Sequence, residues 1–191
     1  MALQDPTLID PLVLPQVRLT GSINDDTLTN LQNQLANVAP GDTPVVVEVT
    51  TLGGDAEAGR RLALEVATAA RRLAPRKLLF LGKTIVFSAG VTMMAGFPRE
   101  HRFLTEDAVL LIHCRQLKKE LQIESPLRGA RLQVAQLLSE IENGLRVEQE
   151  GFAALIEGSS LDMDELLERA LTNWYVPAAE ALERKLIAGI V

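Results

Sequence analysis

The spacing of apolar and polar residues changes several times along the chain, and each change marks a predicted element. Val17-Arg18-Leu19-Thr20 alternates as a strand does and ends at Gly21. Leu28, Leu31, Leu35 and Val38 then fall on one face of a helix opened by Asn24-Asp25-Asp26 and stopped by Pro40 and Gly41. The run Pro44 to Thr50 is β-branched and nearly continuous, the pattern of a strand covered on both faces, and it leads into Gly53-Gly54. From an Asp55 N-cap, residues Ala58, Leu62, Val66, Ala69 and Leu73 mark the buried stripe of a helix that Pro75 ends. Lys77 to Leu81 is the next strand.

Ser88 to Gly96 is small and apolar without β-branched clustering, which predicts a buried helix with Ser88 at its start. Arg102 to Thr105 and Ala108 to His113 supply two further strands. Ser125-Pro126 opens a long helix whose stripe, Val134, Leu138, Ile141, Leu145, Phe152 and Leu155, runs to Gly158. A helix from Asp162 to about Leu171, the segment Asn173-Trp174-Tyr175-Val176, a helix over Ala178 to Lys185 and an apolar end complete the chain. The expected architecture is a β/α core over residues 17–191 with a helical arm projecting at about 126–157. Residues 1–16, broken by Pro6, Pro11 and Pro15, read as an extended arm that lies on a neighbouring subunit.

Composition narrows the partners. The 191 residues are 47% hydrophobic and 23% charged, as in an ordinary globular protein. A net charge of −6 opposes binding to a phosphate backbone, and 4% aromatic residues leave few platforms for stacking bases, so no nucleic acid is expected. Cys114 is the lone cysteine, which excludes an intrachain disulfide and gives no sign of secretion. No apolar run approaches the roughly 18 residues that span a bilayer, so no membrane association is expected and the predicted location is the cytoplasm.

The candidate chemistry is that of an activated serine. A serine hydroxyl is a weak nucleophile; it needs an imidazole within reach, a group to hold that ring, and donors for the developing oxyanion. With two histidines in the chain, His113 at the end of an apolar strand is the candidate base, while His101 sits in a charged stretch expected to be solvated. Ser88, at a helix start, would have the Ala89 N–H beside it, and Gly54 lets the backbone approach a substrate and lend its own N–H. Read alone, a serine before a buried helix is first of all a cap, and a strand-end histidine is first of all a core residue. A Cys114–His113 dyad is disfavoured because strand alternation sends neighbours to opposite faces. Two histidines and one cysteine at these spacings make no zinc site, and neither metal nor organic cofactor is expected.

Leu52-Gly53-Gly54, Ser88-Ala89-Gly90, Leu111-Ile112-His113 and Ala178-Ala179-Glu180-Ala181 with Leu186-Ile187 occur in an order that resembles the proteolytic subunit family of the Clp protease. The resemblance implies an α/β fold of the crotonase-like kind, a superhelix of ββα units with a protruding helical handle. It implies a serine endopeptidase that cleaves peptides or unfolded proteins through an acyl-enzyme inside a homo-oligomeric ring, with an ATP-dependent unfoldase as that family's partner. Ser88 would be the nucleophile, His113 the general base, and the N–H groups of Gly54 and Ala89 the oxyanion hole. The family's triad aspartate falls here on Asn173, which would orient the imidazole without a full negative charge. The lining near Val91, Met93 and Met94 would suit apolar side chains. Two other readings share the fold: a catalytically silent ring subunit, and an acyl-CoA hydratase or isomerase holding a thioester enolate on the same N–H groups.

Overall fold

The computed structural model describes Leu12 and residues 14–191, so most of the expected N-terminal arm lies outside the described residues. The central feature is a seven-stranded sheet in which β3 is the branch point. Strands β1 (Val17–Thr20), β2 (Val45–Thr51), β3 (Leu78–Phe87), β4 (Arg102–Leu104) and β7 (Gly189–Ile190) lie side by side and parallel. The first half of β3 pairs with β4 through Phe80 to Gly82, and its second half pairs with β5 (Val109–Ile112) through Ile85 to Phe87. The outer neighbour of β5 is the antiparallel β6 (Trp174–Pro177).

The sequence reading ended β3 at Leu81; the strand in fact continues to Phe87. Two features hide the continuation. Gly82 interrupts the apolar run because a Cβ there would lie 2.5 Å from Leu104 Cδ2 and 2.8 Å from Val86 Cγ2. Thr84 adopts a left-handed φ of 57° where the register with β2 shifts. The irregularity lets one strand serve two sets of partners and carries the chain without a loop to Ser88.

Burial follows the parallel-sheet rule of apolar residues on both faces. Val45, Val47, Val49, Leu78 and Phe80 face the larger core, while Val46, Leu79, Leu81 and Phe103 form a smaller cluster with Leu12. Helix α1 (Asp25–Ala36) starts from an Asn24 capping box and buries Leu31 and Leu35. Helix α2 (Ala56–Leu73) starts where Asp55 Oδ1 accepts from the Ala58 N–H at 2.6 Å, and its predicted stripe of Ala58, Leu62, Val66 and Ala69 is buried. Helix α3 (Ala89–Met94) lies in the core with Met93 and Met94 fully buried. These methionines therefore pack the interior and do not line a substrate pocket, contrary to the sequence reading.

Helix α4 (Leu127–Ile156) has 30 residues, about 45 Å at 1.5 Å per residue. Only Val147, Glu148 and Leu155 of it are buried, so its first five turns project. The predicted stripe is therefore largely uncovered: Val134, Leu138, Ile141 and Leu145 are exposed, as are Leu127 and Leu132 outside it. Helices α5 (Met163–Ala170) and α6 (Ala178–Glu183) flank β6. His101, expected in solvent, instead belongs to a 3-10 turn (Arg99–His101) and is half-buried, which lowers its pKa by desolvation.

Candidate active site

Ser88 follows β3 directly and sits at the N-cap of α3 with φ 53° and ψ −112°. A non-glycine residue in that region is strained and persists only where its surroundings hold it. Here the Ser88 N–H donates to Leu111 O at 2.9 Å, and its carbonyl accepts from Val91 N at 2.9 Å and Thr92 N at 3.2 Å. The Ser88 side chain makes no capping hydrogen bond. The reading of Ser88 as a simple helix cap is thereby excluded, and the hydroxyl is left for other work. Gly53 allows the fit, because a Cβ there would stand 2.9 Å from both Phe87 O and Ser88 Cβ.

Two backbone donors lie beside this serine without acceptors. Among the described residues, neither the Gly54 N–H nor the Ala89 N–H makes a hydrogen bond, although Ala89 is buried. A buried N–H without a partner is rare and costs about 1–3 kcal/mol, so the Ala89 donor is consistent with a ligand oxygen as acceptor, and Gly54, which is exposed, presents its N–H to the same cavity. Gly54 is held by a bridge to Ile23, with Asp55 N donating to Ile23 O at 2.9 Å and Ile23 N to Gly53 O at 2.9 Å. A Cβ at Gly54 would come within 2.2 Å of Ile23 O, and its φ of 154° is itself unfavourable to a side chain. Gly54→Ala is therefore expected to lower the unfolding free energy by about 1–3 kcal/mol in urea titration, because the bridge must open to admit the methyl group.

His113 lies one residue beyond β5. The pairing of Phe87 with Leu111 puts Ser88 and His113 at the same end of neighbouring strands. Ser88, Ala89, Gly54 and His113 all line one cavity of about 730 Å³. His113 Nδ1 lies 2.7 Å from Cys114 O. A carbonyl can only accept, so this contact assigns the proton to Nδ1 and leaves Nε2 with a lone pair, the tautomer a general base requires. No hydrogen bond joins the Ser88 hydroxyl to His113 in this conformation.

Asn173 stands differently. The β5–β6 register pairs Ile112 with Trp174, which brings the Asn173 backbone opposite His113. Its side chain makes no hydrogen bond among the described residues, does not line the cavity and is exposed. With φ 62° and its N–H on Ala170 O at 3.4 Å, Asn173 closes the turn after α5, a left-handed position that asparagine tolerates well. Asp162 is likewise a cap, its Oδ1 accepting from Glu165 N at 2.8 Å, and neither Asp162, Asp164 nor Glu168 lines the cavity.

The other titratable groups define the cavity's charge. Arg115 hydrogen-bonds to Glu57 and holds that carboxyl below its usual range, with Arg60 adding to the effect. Burial pushes the Cys114 thiol up, and Glu148 pushes it further, so the thiolate needed for a cysteine nucleophile is disfavoured. Glu148 of α4 lines the same cavity and accepts a short hydrogen bond from the Arg115 N–H. The sequence reading missed it, although a signal was present. Glu148 interrupts the apolar series Ile141, Leu145, Phe152, Leu155 at the position where the stripe demands a buried residue.

No protein-family model matches the chain, and no curated protein matches it. Among solved structures, an asparagine-to-aspartate mutant of ClpP1 from Listeria monocytogenes superposes with a TM-score of 0.72 at 16% sequence identity, over 92% of this chain and 90% of that one. The chain has a ClpP-like fold. At that identity the likeness speaks for the path of the backbone alone, and the ClpP-like frame gains chemical meaning only through the side chains and free N–H groups described above.

Proposed function

We propose that the chain is the subunit of a ClpP-like serine endopeptidase that works within an oligomeric ring, its residues 17–191 forming a crotonase-like ββα superhelix with α4 as handle. One observation carries the reading: two unpaired backbone N–H groups, a serine hydroxyl that caps nothing and an imidazole with a free Nε2 border a single cavity. An extended peptide in that cavity places its scissile carbonyl oxygen between the Gly54 and Ala89 N–H groups. His113 Nε2 takes the Ser88 proton as Oγ attacks the carbonyl carbon, and the tetrahedral oxyanion is held by both donors. The imidazolium then protonates the leaving amine, and a water molecule releases the acyl group by the reverse steps. The attack requires Nε2 of the His113 ring to close onto the Ser88 Oγ while Nδ1 keeps its proton on Cys114 O, an adjustment that substrate binding or assembly supplies.

Cys114 O, rather than Asn173, orients the ring in this reading. Asn173→Ala is accordingly expected to change kcat/KM for a peptide by less than about threefold, whereas loss of a true third triad member has cost about 10⁴ in kcat elsewhere. A drop beyond a hundredfold returns that role to Asn173.

Assembly is supported by the uncovered stripe of α4, where Leu138 is 53% exposed and Leu145 56%. A row of that kind on a projecting helix is a sticky surface for a lone subunit. The decisive experiment is labelling with a fluorophosphonate. The protein is expected to label at Ser88 and Ser88→Ala to remain blank; an assembled protein that never labels is a silent ring subunit. The same two N–H groups also suit a thioester enolate, so acyl-CoA turnover that survives Ser88→Ala would assign the site to a hydratase or isomerase.

A further inference from the structure

The wall of the cavity that faces Ser88 and His113 from α4 carries one carboxylate without a cation. Glu148 is 7% exposed, and its Oε2 accepts from the Arg115 N–H; no Lys, Arg or His pairs with it among the described residues. The other acidic groups around the cavity are already engaged. Glu57 bonds to Arg60 and Arg115, Glu140 to Lys119, and Asp55 caps α2. Space has been left beside Glu148 as well. Gly144 and Gly151 precede and follow it by one helical turn on the same face, and a Cβ on either would meet nothing within 4 Å. A glycine inside a helix costs about 0.5–1 kcal/mol relative to alanine, so two of them beside one buried carboxylate keep a groove open at the expense of helix stability.

We propose, building on the peptidase reading, that Glu148 is a specificity-determining residue whose carboxylate receives the ammonium or guanidinium group of a lysine or arginine immediately before the scissile bond. The long aliphatic stem of such a side chain runs over Gly144 and Gly151 and against Leu145 and Phe152, and its charged end completes the pairing that Glu148 lacks. Of the apolar residues expected to line a pocket, Met93 and Met94 are in the core and Val91 alone lines the cavity.

The test compares kcat/KM for fluorogenic peptides that differ only in having Lys, Arg, Leu or Glu before the scissile bond. Lys and Arg are expected to exceed Leu by about tenfold or more, as a hydrogen bond to a charged partner commands. Glu148→Gln keeps an acceptor for the Arg115 N–H and is expected to shrink the Lys-to-Leu ratio by about tenfold. A wild-type ratio at or below one overturns the proposal, as does a ratio unmoved by Glu148→Gln. A second arm measures the same peptides binding to Ser88→Ala by fluorescence anisotropy, with and without Glu148→Gln. Lysine-selective binding that Glu148→Gln removes, alongside a wild-type protein that cleaves none of the peptides, upholds the selectivity and ends the peptidase reading; wild-type cleavage without that preference does the reverse.

Discussion

Ser88→Ala and His113→Ala are each expected to reduce peptide turnover by about 10⁶-fold, and the double variant to fall no further. Non-additivity is the informative part, because it distinguishes a nucleophile and base acting as one unit from two residues that contribute separately to binding. Such an outcome is what a serine and an imidazole sharing one proton transfer produce. Ser88 is locked at φ 53° by its N–H on Leu111 O and its carbonyl on Val91 N and Thr92 N, so its hydroxyl cannot retreat into a capping role when the base is missing. His113 draws its tautomer from Cys114 O, an acceptor that side-chain substitution at 114 leaves in place. Residual turnover of about 10³–10⁴ over the uncatalysed rate should survive both changes, since Gly54 and Ala89 still present their N–H groups. The measurement is single-turnover hydrolysis of a peptide ester and amide at saturating protein. Full activity in His113→Ala would remove the imidazole from the mechanism and pass the proton to a carboxylate of the cavity such as Glu148 or Glu57.

The parts of this site that were readable in the sequence are those where one residue type satisfies one steric demand. Gly53-Gly54 announces a turn because no Cβ fits against Ser88 or Ile23, and the β-branched run before it announces a strand buried on both faces. The helix after Asp55 is equally plain, since its cap and its stripe agree. What stayed hidden depends on partners distant in sequence. The continuation of β3 through Lys83 and Thr84 looks polar and broken, yet it is held because Ile85 to Phe87 find β5. The pairing of Trp174 to Pro177 with β5 is also invisible in a four-residue segment ending in proline. It decides where the Asn173 backbone stands, but the direction of that side chain follows from the turn after α5. Glu148 was readable as a break in the stripe of α4, but its meaning needed the facing backbone of Arg115.

Arg102→Met is expected to cost about 3–5 kcal/mol of unfolding free energy, a large share of the 5–15 kcal/mol typical of a folded chain. Arg102 is 2% exposed and has no carboxylate partner within salt-bridge distance among the described residues; it donates instead to backbone carbonyls. Its Nε reaches Phe97 O at 2.9 Å, its Nη1 reaches Leu155 O at 2.8 Å and Leu186 O at 3.5 Å, and its Nη2 reaches Ala154 O at 3.1 Å and Ala95 O at 3.2 Å. Burial pushes the guanidinium down to about 10, which still leaves it charged at neutral pH. Those five acceptors belong to the end of α3, the last turn of α4 and the segment before β7. The two cavity walls that carry Ser88 and Glu148 are thus tied together through one side chain. Methionine keeps most of the volume and removes every donor, leaving orphaned carbonyls that each cost about 1–3 kcal/mol unless water enters. Urea titration followed by circular dichroism measures the loss, and Arg102→Lys, which retains a charge but not the forked geometry, should recover only part of it. If Arg102→Met unfolds within about 1 kcal/mol of the native protein, the helices are held by apolar packing alone. The alignment of Ser88 with the α4 wall would then have to survive the substitution unchanged, which the Lys-to-Leu ratio of the same variant would reveal.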